Sequence, residues 1–408
     1  MGIGSTGHRD GAGAAEVGRR CRLPAAVLPD GLTHGPSRRF LTEEGLPGKA
    51  ADLDFAALRA GRLEAFTKWE GGEVVGDGRL LVLGETEYCG SKVVLDGVSG
   101  EVHLAAWTGG ELRRDLLASG LRALAGLIRE TESPSALAVD PYGGRRGAAV
   151  AAEVVEAAER RMRTVDPRLF AADPSPAHWG TALLVRSLRW GARPGGPGGL
   201  AYEFGPDLVE ELALLSDESA VHRYRPGELP PGLTHEPTRR LLTEVGLPLG
   251  GEMFAVSDEP LRTMAVAHPG TYGEADGRNG PDAAGGRAYQ HDYIAIGWWP
   301  HDLTVALDGA TGRLELPAWY GEGEPRAYLN RDLSALLYAC WTYERLRHEW
   351  QRWEDGSSDE SWQVFDPQTL LLSHVDAMVE TVDPEAFETP RHSWRMLAED
   401  PHTGGLLA

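Results

Sequence analysis

Residues 31–47 read GLTHGPSRRFLTEEGLP, and a closely matching stretch, GLTHEPTRRLLTEVGLP, occupies residues 232–248. Thirteen of the seventeen positions are identical at a constant offset of 201 residues. Two of the four differences exchange related side chains, serine for threonine and phenylalanine for leucine. A match of this length does not arise by chance within one chain, so the sequence predicts two copies of one domain.

This repeated stretch, here called the signature stretch, predicts a short helix. In the first copy Pro36 suits the first helical turn, where a missing N–H costs nothing. The residue before the proline, or Thr33, can cap the helix. Gly45 then ends the helix and Pro47 prevents its continuation. We therefore expect a helix over residues 36–44 and its counterpart in the second copy.

The signature stretch also repeats a histidine and a pair of arginines. His34 and His235 recur without a repeated Cys, Ser or carboxylate partner, which indicates a capping or core role and not catalysis. Consecutive residues diverge by about 100° on a helix, so Arg38 and Arg39 cannot form one patch. We predict that one arginine of each pair anchors the helix to a nearby carboxylate and that the other is solvated.

The composition is that of a globular protein, with 408 residues of which 42% are hydrophobic. The chain has no run of about 18 apolar residues and no apolar signal core, so we expect neither a transmembrane helix nor secretion by that route. The chain has three cysteines that are far apart in the sequence, Cys21, Cys89 and Cys340. This number and spacing argue against a disulfide framework or a cysteine zinc site. We therefore predict a cytoplasmic location.

The net charge of −21 belongs to the second half of the chain. Residues 1–200 contain 25 basic and 25 acidic residues, which balance. Residues 201–408 contain the other 15 of the 40 basic residues and the other 36 of the 61 acidic ones, a difference of −21. An acidic half disfavours nucleic acid or an anionic membrane as a ligand and allows a basic protein partner. A role in solubility alone would also explain this negative charge.

The order of the predicted elements is the same in both copies, with strands first and helices after them. In copy one, apolar runs at residues 80–83 and 92–95 and an alternating run at 102–106 predict strands, and helical spacing covers 112–129. In copy two we expect a strand within residues 289–299, with Ile294, Ile296 and Trp298 on one face. Matched segments of the two copies are 96–100 with 308–312, 164–167 with 381–384, and Asp115 with Asp332.

This order predicts an α+β fold made by tandem duplication, in which each copy is an antiparallel β-meander with helices packed on it. We expect a disordered N terminus at residues 1–20 and a first domain at 21–190. Residues 191–200, of which seven are Gly or Pro, predict a linker, and the acidic second domain covers 201–408.

The sequence contains no GxSxG motif, no Walker loop and no HExxH motif. A metal site at His291, Asp292, His301 and Asp302 is disfavoured, because strand alternation places the first two on opposite faces. We therefore predict no catalytic residue, no cofactor and no metal.

A partner-binding surface in copy two is the remaining candidate site. Eight of the twelve tryptophans lie in this copy, and a polar insertion at about residues 271–287 precedes its first strand. Exposed aromatic and charged side chains are typical of protein interfaces. The candidate residues in the insertion and at the adjacent strand edge are Asp276, Asp282, Asp292, Trp298, Trp299 and Asp302.

The repeated residues resemble a known family. Leu-Thr-His, Arg-Arg-Phe/Leu-Leu and Gly-Leu-Pro in the signature stretch resemble the signature of SUKH immunity proteins, in particular the SUKH-4 group. The Leu-Gly or Ile-Gly pairs at 83–84 and 296–297, the turn at 95–100, and Asn-Arg-Asp-Leu at 330–333 agree with it. Copy one departs from it with Arg-Arg-Asp-Leu at 113–116. The resemblance covers about residues 20–185 and 205–400.

What the resemblance implies is a non-catalytic α+β domain without a cofactor. Such a domain binds and neutralises a toxin of a bacterial polymorphic toxin system, often a nuclease or a deaminase. The expected partner is then a cognate toxin domain. The charge of copy two favours a basic surface on this partner and disfavours nucleic acid or a membrane. A non-catalytic regulatory scaffold is the alternative, because SUKH-like domains also resemble eukaryotic signalling adaptors. From the charge, we predict that copy two is the toxin-binding half.

Overall fold

The computed structural model of the chain describes residues 20–70, 73–136, 140–171, 177–215, 220–272, 285–300, 302–317, 328–356, 364–388 and 394. The predicted disordered segment at residues 1–20 lies outside this part of the chain except for Arg20, which is in a short strand. The chain divides into two compact units. The first unit lies within Met1–Ala138, Val155–Arg186 and Gly356–Leu370, and the second within Val139–Val154, Ser187–Asp355 and Leu371–Ala408. The domain boundaries drawn from the sequence stay a prediction.

The secondary structure is mixed helix and antiparallel strand, so the predicted α+β class is confirmed. The strands are β1 Arg20–Cys21, β2 Leu46–Pro47, β3 Lys49–Ala50, β4 Leu53–Asp54, β5 Glu64–Glu70, β6 Glu73–Thr86, β7 Lys92–Asp96, β8 Val102–Thr108, β9 Glu111–Ala118, β10 Arg193–Pro194, β11 Tyr202–Glu203, β12 Val221–His222, β13 Leu247–Pro248, β14 Arg262–Thr263, β15 Ile294–Trp299, β16 Leu303–Leu307, β17 Leu314–Glu315 and β18 Tyr328–Asn330.

The α-helices are α1 Gly35–Glu43, α2 Ala56–Arg59, α3 Leu121–Ala136, α4 Ala148–Val165, α5 Ala177–Ser187, α6 Pro206–Leu215, α7 Glu236–Arg240, α8 Met264–Ala267, α9 Pro269–Tyr272, α10 Leu333–Gly356 and α11 Pro367–Val382. A π-helical turn at Leu241–Val245 continues α7. The 3-10 helices are Ala25–Val27, Leu169–Ala171, Leu188–Trp190, Pro226–Glu228, Gly285–Asp292 and Pro384–Phe387.

In the described residues of the first unit, β3 to β9 form a seven-stranded sheet in which β6, β7, β8 and β9 are consecutive antiparallel neighbours. β5 pairs with β6 outside that path. The strands predicted at residues 80–83, 92–95 and 102–106 fall within β6, β7 and β8 and are confirmed. The meander predicted for copy one is therefore present.

The helix predicted over residues 112–129 is wrong in its first part. Residues 111–118 form strand β9, and the helix α3 begins at Leu121. Gly109 and Gly110 have φ values of 57° and 89° and connect β8 to β9 as a two-residue hairpin turn. The spacing of the leucines in this stretch fits both a helix and a strand. The hairpin turn formed by the two glycines favours the strand.

The match between residues 164–167 and 381–384 is confirmed by hydrogen bonds. Asp166 accepts the backbone N–H of Ser119 at 2.7 Å. Asp383 accepts the backbone N–H of Arg331 at 2.7 Å. Ser119 and Arg331 each stand two residues before the first residue of a long helix, α3 or α10. Equivalent aspartates therefore bind the backbone just before equivalent helices in the two copies.

The match of Asp115 with Asp332 is wrong by five residues. Asp332 accepts the backbone N–H of Ser334 at 2.9 Å and caps α10. The residue of copy one in the same place, immediately before α3, is Gly120. Asp115 lies within β9. The similar tetrapeptides at 113–116 and 330–333 thus belong to different elements.

The first unit includes a segment from the far end of the chain, at Gly356–Leu370. The backbone N–H of Phe365 donates to Asp115 at 2.9 Å. The Phe365 ring is 4% exposed and packs edge-on against Tyr88 and His178, with ring centroids 5.8 and 5.3 Å away. This segment completes the core of the first unit.

The second unit contains a five-stranded antiparallel sheet in the order β14 to β18, within the residues described. The strand predicted within residues 289–299 begins only at Ile294, because Gly285–Asp292 is a 3-10 helix. β15 lies between β14 and β16, so it is not the edge strand that the sequence led us to expect.

The predicted linker at residues 191–200 lies in the second unit. Arg193 and Pro194 in β10 pair with Glu203 and Tyr202 in β11. A Cβ at Gly191 would lie 2.3 Å from the Trp341 ring, so the backbone passes directly against this buried side chain. The glycines of this segment therefore serve a tight hairpin and close packing.

Candidate partner-binding site

The signature stretch is attached to a turn of its own unit. The backbone N–H groups of Thr33 and His34 both donate to the carbonyl oxygen of Gly97, at 2.8 Å each. The corresponding residues of the second unit are Thr234, His235 and Gly309, at 2.8 and 2.9 Å. The match of segments 96–100 and 308–312 is confirmed, and their repetition follows from a shared structural task.

The repeated histidine begins the signature helix. His34 is at the N-cap, and its Nδ1 is hydrogen-bonded to Ser37 Oγ at 2.8 Å. The ring also covers Gly100, whose φ is 80° and where a Cβ would lie 2.1 Å from Nδ1. His235 is hydrogen-bonded to Thr238 Oγ1 at 2.7 Å. Each histidine therefore stands at the N-cap position, but its side chain bonds a hydroxyl and does not cap a backbone N–H. The predicted caps, Thr33 or the residue before the proline, are wrong, and the exchange of serine for threonine keeps the hydroxyl.

The arginine pairs divide as predicted, and the anchoring arginine of each pair holds a backbone carbonyl. Arg38 Nη1 donates to the carbonyl oxygen of Leu32 at 2.9 Å, and Arg39 is exposed. In the second unit, Arg239 Nη1 donates to the carbonyl oxygen of Leu233 at 2.9 Å, and the next arginine is exposed. In the first unit the anchor is a backbone carbonyl and not the carboxylate that we predicted, because the chain just before the helix folds back within reach. In the second unit Arg239 Nε also lies 3.7 Å from the Glu236 carboxylate, so the predicted carboxylate contact is present there beside the carbonyl contact.

A β-bulge decides which tryptophan of β15 faces the solvent. The pairing of β15 with β16 shifts between Ala295 and Gly297. Beyond the shift, Trp298 is 46% exposed and Trp299 is 2% exposed. Strict alternation had placed Ile294, Ile296 and Trp298 on one face. That expectation is wrong, because Ile294 and Ile296 are buried and the bulge turns Trp298 to the other face.

The candidate partner-binding residues occupy different environments. Asp292 is exposed at the end of a 3-10 helix, and Asp302 is exposed in the β15–β16 turn with a φ of 58°. Trp299 packs against Trp394 with ring centroids 4.8 Å apart, so it belongs to the core and leaves the candidate surface. Asp276 and Asp282 lie outside the described residues. Trp298, Asp292 and Asp302 remain as surface candidates.

A cavity of about 210 Å³ lies beside Trp298 in the second unit. Its lining includes Tyr224, Glu259, Arg262, His268, Trp298 and Thr304. The backbone of Trp298 is fixed by hydrogen bonds with Ala255, so its indole is held at the cavity wall. A cavity lined by aromatic groups and a few polar ones is the usual form of a binding site.

The polar groups of this cavity are partly paired. His268 Nε2 is hydrogen-bonded to Thr304 Oγ1 at 2.8 Å, and burial lowers the pKa of His268. Arg262 and Glu259 form an ion pair at 3.4 Å. The Tyr224 hydroxyl is buried and has no hydrogen-bond partner in the described part of the chain. Sequence reasoning missed these residues because they come from separate segments that only the fold brings together.

In the part of the chain that the structure describes, no group of three or more His, Cys, Asp and Glu side chains is arranged to hold a metal ion. Among the described helices, none combines the length and the apolar character that spanning a membrane requires.

Comparison with known proteins identifies the family. The family model described as SUKH-4 immunity protein matches residues 8–186 and, a second time, residues 197–400. No curated protein and no solved structure matches the chain. The two matches follow one another as the two signature stretches do. The chain therefore belongs to the SUKH-4 immunity protein family and contains two tandem copies of its domain.

Proposed function

We propose that this chain binds and neutralises the toxin domain of a bacterial polymorphic toxin system, and that the toxin is a nuclease or a deaminase. The observation that carries the proposal is the match of both copies to an immunity protein family. The partner is then a cognate toxin. We place this function in the cytoplasm, where such a toxin reaches its substrates.

The contacts of the signature stretch support action by binding and not by turnover. His34 and His235 are each hydrogen-bonded to a hydroxyl three residues later. Arg38 and Arg239 each hold a backbone carbonyl. A structural task accounts for the repetition of each of these side chains, so none of them needs a catalytic role.

Charge and exposure favour copy two as the toxin-binding half. The charge of −21 arises within residues 201–408. Asp292 and Asp302 are exposed there, together with Trp298. Toxins that act on nucleic acid grip phosphate through basic surfaces. An acidic binder is steered to such a surface and occludes it.

The test uses the toxin domain encoded by the open reading frame beside the gene for this chain. Co-expression of the full chain should protect cells from this domain. With an inactivated toxin domain, the association rate should fall steeply as salt is added. The double variant Asp292→Asn/Asp302→Asn should slow association at low salt by several-fold. The matched control in copy one is Glu64→Gln/Glu156→Gln, whose side chains are 68% and 69% exposed and which should leave the rate unchanged.

Each part of the proposal has its own contrary result. Cells that die despite co-expression, with no complex formed, would contradict the immunity function. Protection together with an association rate that is flat with salt would contradict steering by charge. An equal slowing by the copy-one control would contradict the assignment of binding to copy two.

A further inference from the structure

Trp298 occupies a position that holds a charged side chain in copy one. Each copy has a β-bulge just before this position. Beyond the bulge, Trp298 lies directly opposite Thr304, and in copy one Glu85 lies directly opposite Lys92. Thr304 and Lys92 each stand four residues before the aspartate of the matched turn. The two cross-strand pairs are therefore equivalent.

In copy one, this part of the surface carries ion pairs. Glu85 pairs with Lys92. On the other side, Glu85 lies opposite Asp54, which forms ion pairs with Arg59 at 2.5 Å and with Lys49 at 3.3 Å. The charges of this surface therefore have partners within the chain.

In copy two, the same positions are uncharged and border a cavity. Trp298 and Thr304 replace the ion pair, and Ala255 takes the place of Asp54 opposite Trp298. The cavity beside them has a volume of about 210 Å³ and includes the wall formed by Tyr224. Tyr224 is 3% exposed, and its hydroxyl lacks a hydrogen-bond partner in the described chain. A buried hydroxyl of this kind gains from an incoming donor.

Two exposed aspartates are close in sequence to residues that line this cavity. Arg262 is already paired with Glu259 at 3.4 Å. Asp258 is exposed between two residues of the lining, and Asp302 is exposed two residues before the lining Thr304. Within the described residues, neither aspartate forms an ion pair. An indole face attracts cations, and this attraction increases when the site is desolvated.

We propose that this Trp298 cavity docks a lysine or arginine side chain of the partner, with its cation over the indole and its N–H groups toward the Tyr224 hydroxyl and the nearby aspartates. The inference rests on the proposed function, because the cation belongs to the toxin domain. It also gives a physical reason why copy two and not copy one would bind the toxin, since the equivalent charges of copy one are paired with one another.

The experiment measures the Kd between the full chain and the inactivated toxin domain encoded by the adjacent open reading frame. Trp298→Ala should weaken binding by about 30-fold or more, the size of an interface hot spot. Trp298→Phe keeps an aromatic face and should restore most of the affinity. Glu85→Ala, at the equivalent position of copy one, and Leu214→Ala, at a side chain 63% exposed, should leave Kd unchanged. Unchanged thermal unfolding of each variant confirms that folding is intact.

A double-mutant cycle identifies the chemistry of the occupant. Each exposed lysine and arginine of the toxin domain is replaced by alanine in turn, and one of them should show strong coupling with Trp298→Ala. Equal Kd values for the wild-type chain and Trp298→Ala would overturn the cavity as the docking site while leaving the immunity function intact. Coupling only to apolar toxin residues would overturn the cation. No binding by the wild-type chain would overturn the proposed function and this inference together.

Discussion

The backbone N–H of His34 donates a hydrogen bond of 2.8 Å to the carbonyl oxygen of Gly97. This contact requires a close approach of two backbones. A Cβ at Gly97 would lie 2.3 Å from the carbonyl oxygen of Gly31, and a Cβ at Gly309 would lie 2.3 Å from that of Gly232. The turn glycine and the signature stretch are therefore repeated together because each fits the other.

Gly97→Ala and Gly309→Ala should each destabilise their own unit by about 2–3 kcal/mol, because the backbones must separate and strain their hydrogen bonds. Chemical denaturation checks this expectation. The control is Gly78→Ala, where a Cβ meets no atom within 4 Å. A Gly97→Ala variant as stable as this control would show that the approach is not required.

The arginine pairs offer a second comparison within one helix. Arg38→Ala should lower the free energy of unfolding by about 1–2 kcal/mol, because it leaves the Leu32 carbonyl without its donor. Arg39→Ala removes an exposed side chain and should change it by less than about 0.5 kcal/mol. The pair Arg239→Ala and Arg240→Ala should behave in the same way. Equal effects within a pair, measured by urea denaturation, would contradict the division of roles.

Phe365 should be essential to the first unit although it lies in the second half of the chain. Its ring is buried against Tyr88 and His178, so Phe365→Ala should cost about 3–5 kcal/mol. Hydrogen exchange should then rise across β6 to β9. Val98→Ala, at a side chain 51% exposed, is the control. Unchanged protection of β6 to β9 in Phe365→Ala would contradict this dependence.

The repeat made much of the fold predictable from the sequence. The signature helix, the glycine that ends it and the matched turns could be predicted, because a pattern that occurs twice in one chain does not arise by chance. Gly45 and Gly246 have φ values of 73° and 92°, as expected for residues that end a helix. The duplication could not place residues 364–370 in the first unit, since that contact joins positions far apart in the chain.

The candidate site was less predictable, for two physical reasons. The bulge before Trp298 reverses the faces of β15, and a pattern of period two does not show a bulge in advance. The cavity beside Trp298 draws its walls from loops, helices and strands that are distant in sequence. The Leu-Gly and Ile-Gly pairs at 83–84 and 296–297 align the two strands, but the solvent exposure of the next residues, Glu85 and Trp298, depends on the bulge.

The first unit should lose stability as the pH falls below about 6.5, and His178 is the reason. Burial lowers the pKa of His178 to about 4, against 6.5 for a free histidine. Between these values the unfolded state binds more protons than the folded state, so the free energy of unfolding decreases as the pH decreases. The full effect is about 3 kcal/mol. His178→Gln should remove this dependence, whereas His291→Gln, at an exposed histidine, should keep it. Denaturation of the wild type and both variants at pH 7 and pH 4.5 distinguishes them. Parallel pH profiles for these three proteins would contradict the assignment to His178.

The second unit should respond to pH in the opposite direction through Glu344. This carboxyl is 2% exposed, and Arg347 Nη1 donates to it at 3.1 Å. Burial raises the pKa of Glu344 to about 7, from 4.5 for a free glutamate, even though Arg347 acts to lower it. Between these values the folded state binds more protons than the unfolded state. The stabilisation is therefore complete below about pH 4.5 and is lost as the pH rises through about 7.

Glu344→Gln isolates this contribution, because glutamine keeps the shape of the protonated carboxyl and does not titrate. Relative to this variant, the wild-type second unit should lose about 3 kcal/mol between pH 4.5 and pH 8. The measurement is urea denaturation at several pH values, followed by tryptophan fluorescence. Glu210→Gln, at a side chain 53% exposed, should follow the wild-type profile. If Glu344→Gln and the wild-type chain change in parallel across this range, then Glu344 is ionised throughout and Arg347 compensates its burial fully.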